Sequence, residues 1–138
     1  ERLFVDRAAD AKFIAFHRAG QTPQSAAPAL SAELADEMPI SLLLLGMGAD
    51  MHTASLFPGA DGLAAMMADD APLVVPVSVV GQEPRISFSG PALAGAIAKH
   101  LVIYGDEKRR ALEAAQSLSP IEAPIRAVMD GLTVHWAE

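Results

Sequence analysis

An α/β fold, a three-layer sandwich around a mostly parallel, Rossmann-like sheet, is the class this sequence predicts. Three observations predict it. Apolar segments of strand length alternate with helix-length segments across short links, as in doubly wound sheets. The stretch Ile40 to Gly46 is apolar apart from Ser41, the pattern of a parallel strand with helices on both faces. The chain has 138 residues, 51% hydrophobic and 20% charged, which suits one globular domain over 1–138.

The elements follow in order. Ala11 to His17 (AKFIAFH) carries enough bulky apolar residues for a strand. Gly20 to Gln24 is a polar, proline-bearing link, and Ser25 to Glu37 reads as a helix with Leu30 and Leu34 at i,i+4. Ile40 to Gly46 is expected near the centre of the sheet. After a loop from Asp50 to Gly59, Leu63 to Met67 reads as a helical turn, Leu73 to Val80 as a strand, and Ile86 to Ser89 as another. Ser89 followed by Pro91 is a serine cap with proline in the first turn, opening a helix through Lys99. Leu101 to Tyr104 is a strand, Asp106 to Ser117 a charged helix, Pro120 to Pro124 a loop, and Leu132 to Trp136 the last strand. There is no internal repeat.

Composition excludes several classes. No apolar run approaches the roughly 20 residues of a membrane-crossing helix, and no signal-like segment opens the chain. No membrane partner is expected, and the cytoplasm is the expected compartment. Zero cysteines remove disulfides, thiolate metal sites and cysteine nucleophiles. A net charge of −7 argues against nucleic acid, whose phosphates need clustered Lys and Arg.

In doubly wound sheets ligands gather beyond the carboxyl ends of the strands. The loop after Ile40 to Gly46 is therefore the place to look for chemistry. Gly46 and Gly48 are half a dinucleotide fingerprint, without a third glycine or a ribose-binding acid, so they read as a sharp turn that lets backbone approach a ligand. His52 follows Asp50 by two residues and precedes Thr53 and Ser55. A carboxylate beside an imidazole fixes its tautomer, which makes His52 a candidate general base for water; the alternative is a histidine in a local turn. Asp50 and His52 supply only two metal ligands where catalytic zinc takes three, so no metal is expected. Ser55 lacks a nucleophile elbow.

Lys108, Arg109 and Arg110 fall in the first turns of a helix, where the macrodipole disfavours cations unless an anion binds there. The alternative is that Asp106 and Glu107 compensate. Arg85, at a strand start, suits bidentate phosphate contact or simple solvation. His17, His100 and His135 read as structural or surface residues, and the six methionines as core filler.

The stretch Leu45 to Gly59, LGMGADMHTASLFPG, resembles the signature of the 6-phosphogluconolactonase family, Leu-Gly-Met-Gly-x-Asp-Gly-His-Thr-Ala-Ser-Leu-Phe-Pro-Gly, at every fixed position but one. The similarity continues in Pro84 to Ser87, in Gly105 to Lys108, in Pro124 and in Val134 to Trp136. It implies hydrolysis of 6-phosphogluconolactone to 6-phosphogluconate in the pentose phosphate pathway, without metal or nucleotide cofactor, on a small phosphorylated sugar lactone. It implies His52 as the water-activating base, Asp50 as its neighbour, Arg85 and Lys108 as phosphate contacts, and the Gly46 and Gly48 turn against the substrate. The lactonase-type run from His52 disfavours the related isomerases and deaminases. A non-catalytic sugar-phosphate module is the other alternative.

Two departures carry expectations. Met51 stands at the family's glycine; if that position needs a positive φ, methionine strains or shifts the loop. The family's glycine-rich phosphate loop and Asp-Glu-Arg segment are missing, and Glu1 and Arg2 look like the start of the helix that follows them. The sheet is therefore expected to be incomplete at its amino-terminal side, with an unpaired edge that a homo-oligomer covers.

Overall fold

The computed structural model describes residues 8–138, and the helix start read at Glu1 and Arg2 lies outside them. The elements are α1 (Pro23–Leu34), β1 (Leu42–Leu45), α2 (Leu63–Met67), β2 (Val74–Val77), β3 (Arg85–Phe88), α3 (Gly90–Ala94), β4 (Ala98–Tyr104), α4 (Asp106–Ala115) and β5 (Leu132–Ala137), with 3₁₀ turns at Ala35–Glu37 and Pro124–Val128. The strands β1, β4 and β5 form an all-parallel sheet in the order β1-β4-β5. The α/β class with a parallel sheet holds.

Local chemistry starts α3 and α4 at the expected residues and α1 at Pro23, two residues before the expected Ser25. Thr22 and Ser25 form a reciprocal capping box at α1, with Pro23 in its first turn. Leu30 and Leu34 share its buried face with Ala26 and Ala27. Ser89 caps α3, its side chain accepting from the Ala92 N–H.

Four expectations need correction. Ala11 to His17 is irregular rather than a strand; Ile14 and Phe16 meet their burial by packing on the α1 cluster, and the Phe16 ring meets Phe88 edge-on at 5.0 Å. The strands β2 and β3 pair antiparallel with each other, with Pro76 opposite Ile86, instead of joining the parallel sheet. Pro76 explains this, since a residue without an N–H is confined to edge strands. The helix from Pro91 stops at Ala94 rather than Lys99. Ile97 N–H donates to Ile40 O at 2.9 Å and Ala98 N–H to Ser41 O at 3.1 Å, so pairing with the neighbouring strand draws Ala98 to His100 into β4.

The fourth concerns β1, which was expected at the centre. Among the described residues β4 is central and β1 lies at the edge. Leu43 and Leu45 are buried, whereas Leu42 and Leu44 are 64% and 69% exposed. Register places Ala98, His100, Val102 and Tyr104 of β4 on the same open face. The opposite face, with Leu101 and Ile103, shares the main core with Leu93 of α3, Ala115 of α4, and Ile125 and Val128 of the 3₁₀ turn. Of the expected three layers, the described residues supply the sheet and one covered face.

Candidate active site

The buried positions of β1 anchor the turn that follows it. Gly48 N–H donates to His52 O at 3.1 Å and Met51 N–H to Gly48 O at 3.0 Å, closing a tight loop. Met51 takes φ 68° at its apex and Ala54 φ 49°, so the left-handed turn expected at the glycine position is present with methionine in it. Thr53 is fully buried, and its hydroxyl donates to Gly46 O at 3.0 Å. Ile125 N–H donates to Met51 O at 3.1 Å and ties the loop to the 3₁₀ turn Pro124–Val128.

This scaffold sets Asp50 against His52. Asp50 Oδ1 lies 2.6 Å from His52 Nδ1 and also accepts from the His52 N–H at 3.3 Å. An ionised carboxylate only accepts, so Nδ1 carries the proton and Nε2 keeps a free lone pair. Partial burial pushes the Asp50 carboxyl up, but the hydrogen bonds from the His52 ring and backbone and the His52 charge outweigh it, leaving the pKa below its ordinary value. Gly48 is required by this packing: a Cβ there would overlap both Asp50 Oδ1 and His52 Nδ1. Among the described residues no group of three or more potential ligands gathers to hold a metal.

His52 and Lys108 line one cavity of about 430 Å³, with Leu44, Gly46, Gly48 and Ala54 around them. Lys108 sits in the first turn of α4 and has no ion pair among the described residues. Its neighbour Arg109 is engaged instead with Asp106 at 3.2 Å, with Glu113 at 3.9 Å and over the Trp136 ring at 5.0 Å. The two readings of the basic run therefore divide between residues: Arg109 is compensated, and Lys108 faces the cavity.

Arg85 is placed differently. It lines a separate cavity of about 530 Å³ with His17, Arg18 and Thr22, and Arg18 there is paired with Glu33. Its link to the His52 site runs through Phe57. The His52 ring stacks on Phe57 with centroids 4.3 Å apart, and Arg85 Cζ lies 5.2 Å from the same centroid. Phe57, Ser87 and Ile125 are the residues that motif reading missed. Phe57 and Ser87 stand inside the family-like stretches Leu45 to Gly59 and Pro84 to Ser87; Ile125 carries no local signal. His100 and His135, read as structural or surface residues, pair through Nδ1 and Nε2 at 3.0 Å, outside the His52 cavity.

The sequence profile of the glucosamine-6-phosphate isomerase/6-phosphogluconolactonase family matches residues 1–136. The chain belongs to this family. It is 33% identical over 145 residues to a 6-phosphogluconolactonase of Rhizobium meliloti (strain 1021), covering 99% of this chain and 62% of the relative. A Mesorhizobium japonicum 6-phosphogluconolactonase is 37% identical, covering 98% of this chain and 59% of the relative. The crystal structure of a 6-phosphogluconolactonase from Shewanella baltica OS155 superimposes with a TM-score of 0.87 at 28% identity, over 97% of this chain and 60% of that one. As a member of the isomerase/lactonase family, the chain thus spans about three fifths of the length of the relatives it matches.

Proposed function

We propose that this chain carries the hydrolytic site of a 6-phosphogluconolactonase and that its residues form one domain, acting in the cytoplasm. Water is deprotonated by His52 Nε2 as its oxygen attacks the lactone carbonyl. Asp50 holds the imidazole in the required tautomer and stabilises the imidazolium that forms. Ring opening breaks the acyl–oxygen bond as His52 returns its proton to the leaving alkoxide, and the carboxylic acid formed then releases the water's other proton to solvent to give the carboxylate. Backbone N–H groups of the Gly46 to Asp50 turn other than that of Gly48, which donates to His52 O, are assigned to the developing oxyanion. Lys108 binds the substrate's phosphate end and Arg85 supports it from beyond Phe57, so that binding energy remote from the carbonyl orients the ester.

The observation that carries this reading is the His52 ring held on Asp50 at 2.6 Å, at the rim of a cavity that Lys108 also lines. No helix among the described residues is long and apolar enough to cross a membrane. The test follows freshly prepared lactone by pH-stat. Wild type is expected to accelerate hydrolysis and His52→Ala to fall to the buffer rate; equal rates for both proteins overturn the proposal. Phosphogluconate protection against unfolding without any turnover would assign a binding module instead. We further propose that a second copy of the chain covers the β1 edge, whose backbone groups have no sheet partner on one side among the described residues.

A further inference from the structure

We propose that Phe57 is a positioning residue that orders the His52 base and the Arg85 guanidinium of the neighbouring cavity relative to one another, an inference that rests on the lactonase reading. The ring is buried and belongs to the main core, so it is an immobile surface. Two side chains from separate elements rest on it: His52, stacked at 4.3 Å with planes 30° apart, and Arg85 of β3, with Cζ at 5.2 Å. The backbone around the ring is held to the same strand, since Ser55 N–H donates to Ser87 Oγ of β3 at 3.2 Å.

Asp50 restrains His52 through one edge of its ring. A single hydrogen bond leaves the imidazole free to swing about that axis, and the Phe57 face removes this freedom. Arg85 is exposed and has no ion pair among the described residues. The attraction of a guanidinium to an aromatic face is what limits its rotamers. One rigid ring thereby sets the spacing between a base and a cation that do not share a cavity.

The experiment compares Phe57→Leu and Phe57→Met, which lack the ring, with Phe57→Tyr, which keeps it. Each folded variant is assayed for kcat and KM and followed by NMR at the His52 Hε1 proton. The ring-less variants are expected to lose kcat roughly tenfold and to raise KM several-fold together. Their His52 resonance should move downfield as shielding by the aromatic face is lost. Phe57→Tyr should restore all three readouts. In the Arg85→Ala background, Phe57→Met should add little to KM, because the contact it removes is already gone. Ring-less variants that melt lower yet keep wild-type kcat, KM and His52 resonance reduce Phe57 to packing and overturn the proposal. An inactive wild type refutes the lactonase reading; the NMR comparison then still decides whether Phe57 orders His52.

Discussion

Met51 occupies a left-handed conformation, φ 68°, that costs a residue with a Cβ on the order of 1–2 kcal/mol. Its side chain is half-buried against the main core, and that apolar contact returns an amount of the same order. Strain and packing nearly cancel. Met51→Gly, which removes both, should change the unfolding free energy by less than about 1 kcal/mol. Met51→Ala keeps the strain and loses the contact, and should destabilise by about 1–2 kcal/mol in urea titrations. Asp50 makes a second prediction at this scale. Its folded pKa lies below the ordinary 3.8, so as pH falls the unfolded chain takes up the proton first. The Asp50 contribution is complete above the ordinary value and is lost as pH drops through the lowered one. The difference in stability between wild type and Asp50→Asn should therefore be present above the ordinary carboxylate value and shrink as pH falls below it.

Helix α4 and the loop after β1 bring the site together. Lys108, without an ion pair among the described residues, should govern ground-state binding. Lys108→Ala is expected to raise KM for the phosphorylated lactone by roughly tenfold or more, with a smaller effect on kcat. An unchanged KM would separate Lys108 from the phosphate. At this scale much was legible. The Ser89 cap and the α1 face of Leu30 and Leu34 are short-range chemistry, and both are present in the structure, whereas the left-handed turn at Met51 was raised only by the resemblance to a family with glycine there. The antiparallel pairing of β2 with β3 was not, because partner choice is decided by distant chain; Pro76 was the one local warning. Nor did the sequence separate Arg85 from Lys108. Both are basic residues beside phosphate-type motifs, and only the fold assigns them to different cavities.

For the whole molecule, the uneven cover of the sheet dominates. The apolar run of β1 was read as central because both faces are hydrophobic, yet Leu42 and Leu44 lie on an open face. Residue type reports the capacity to be buried, and the neighbour that buries a side chain is not written beside it. If a second copy covers this edge, light scattering should show mass rising with concentration, and Leu44→Lys should return the chain to monomer. A wild type that stays monomeric at every concentration overturns that association. The clasp between Ile125 N–H and Met51 O has an effect in time as well as space. During synthesis the histidine loop leaves the ribosome before its latch. A nascent chain stalled before Pro124 carries every residue assigned to the reaction, but their arrangement is secured only when the Pro124–Val128 turn emerges.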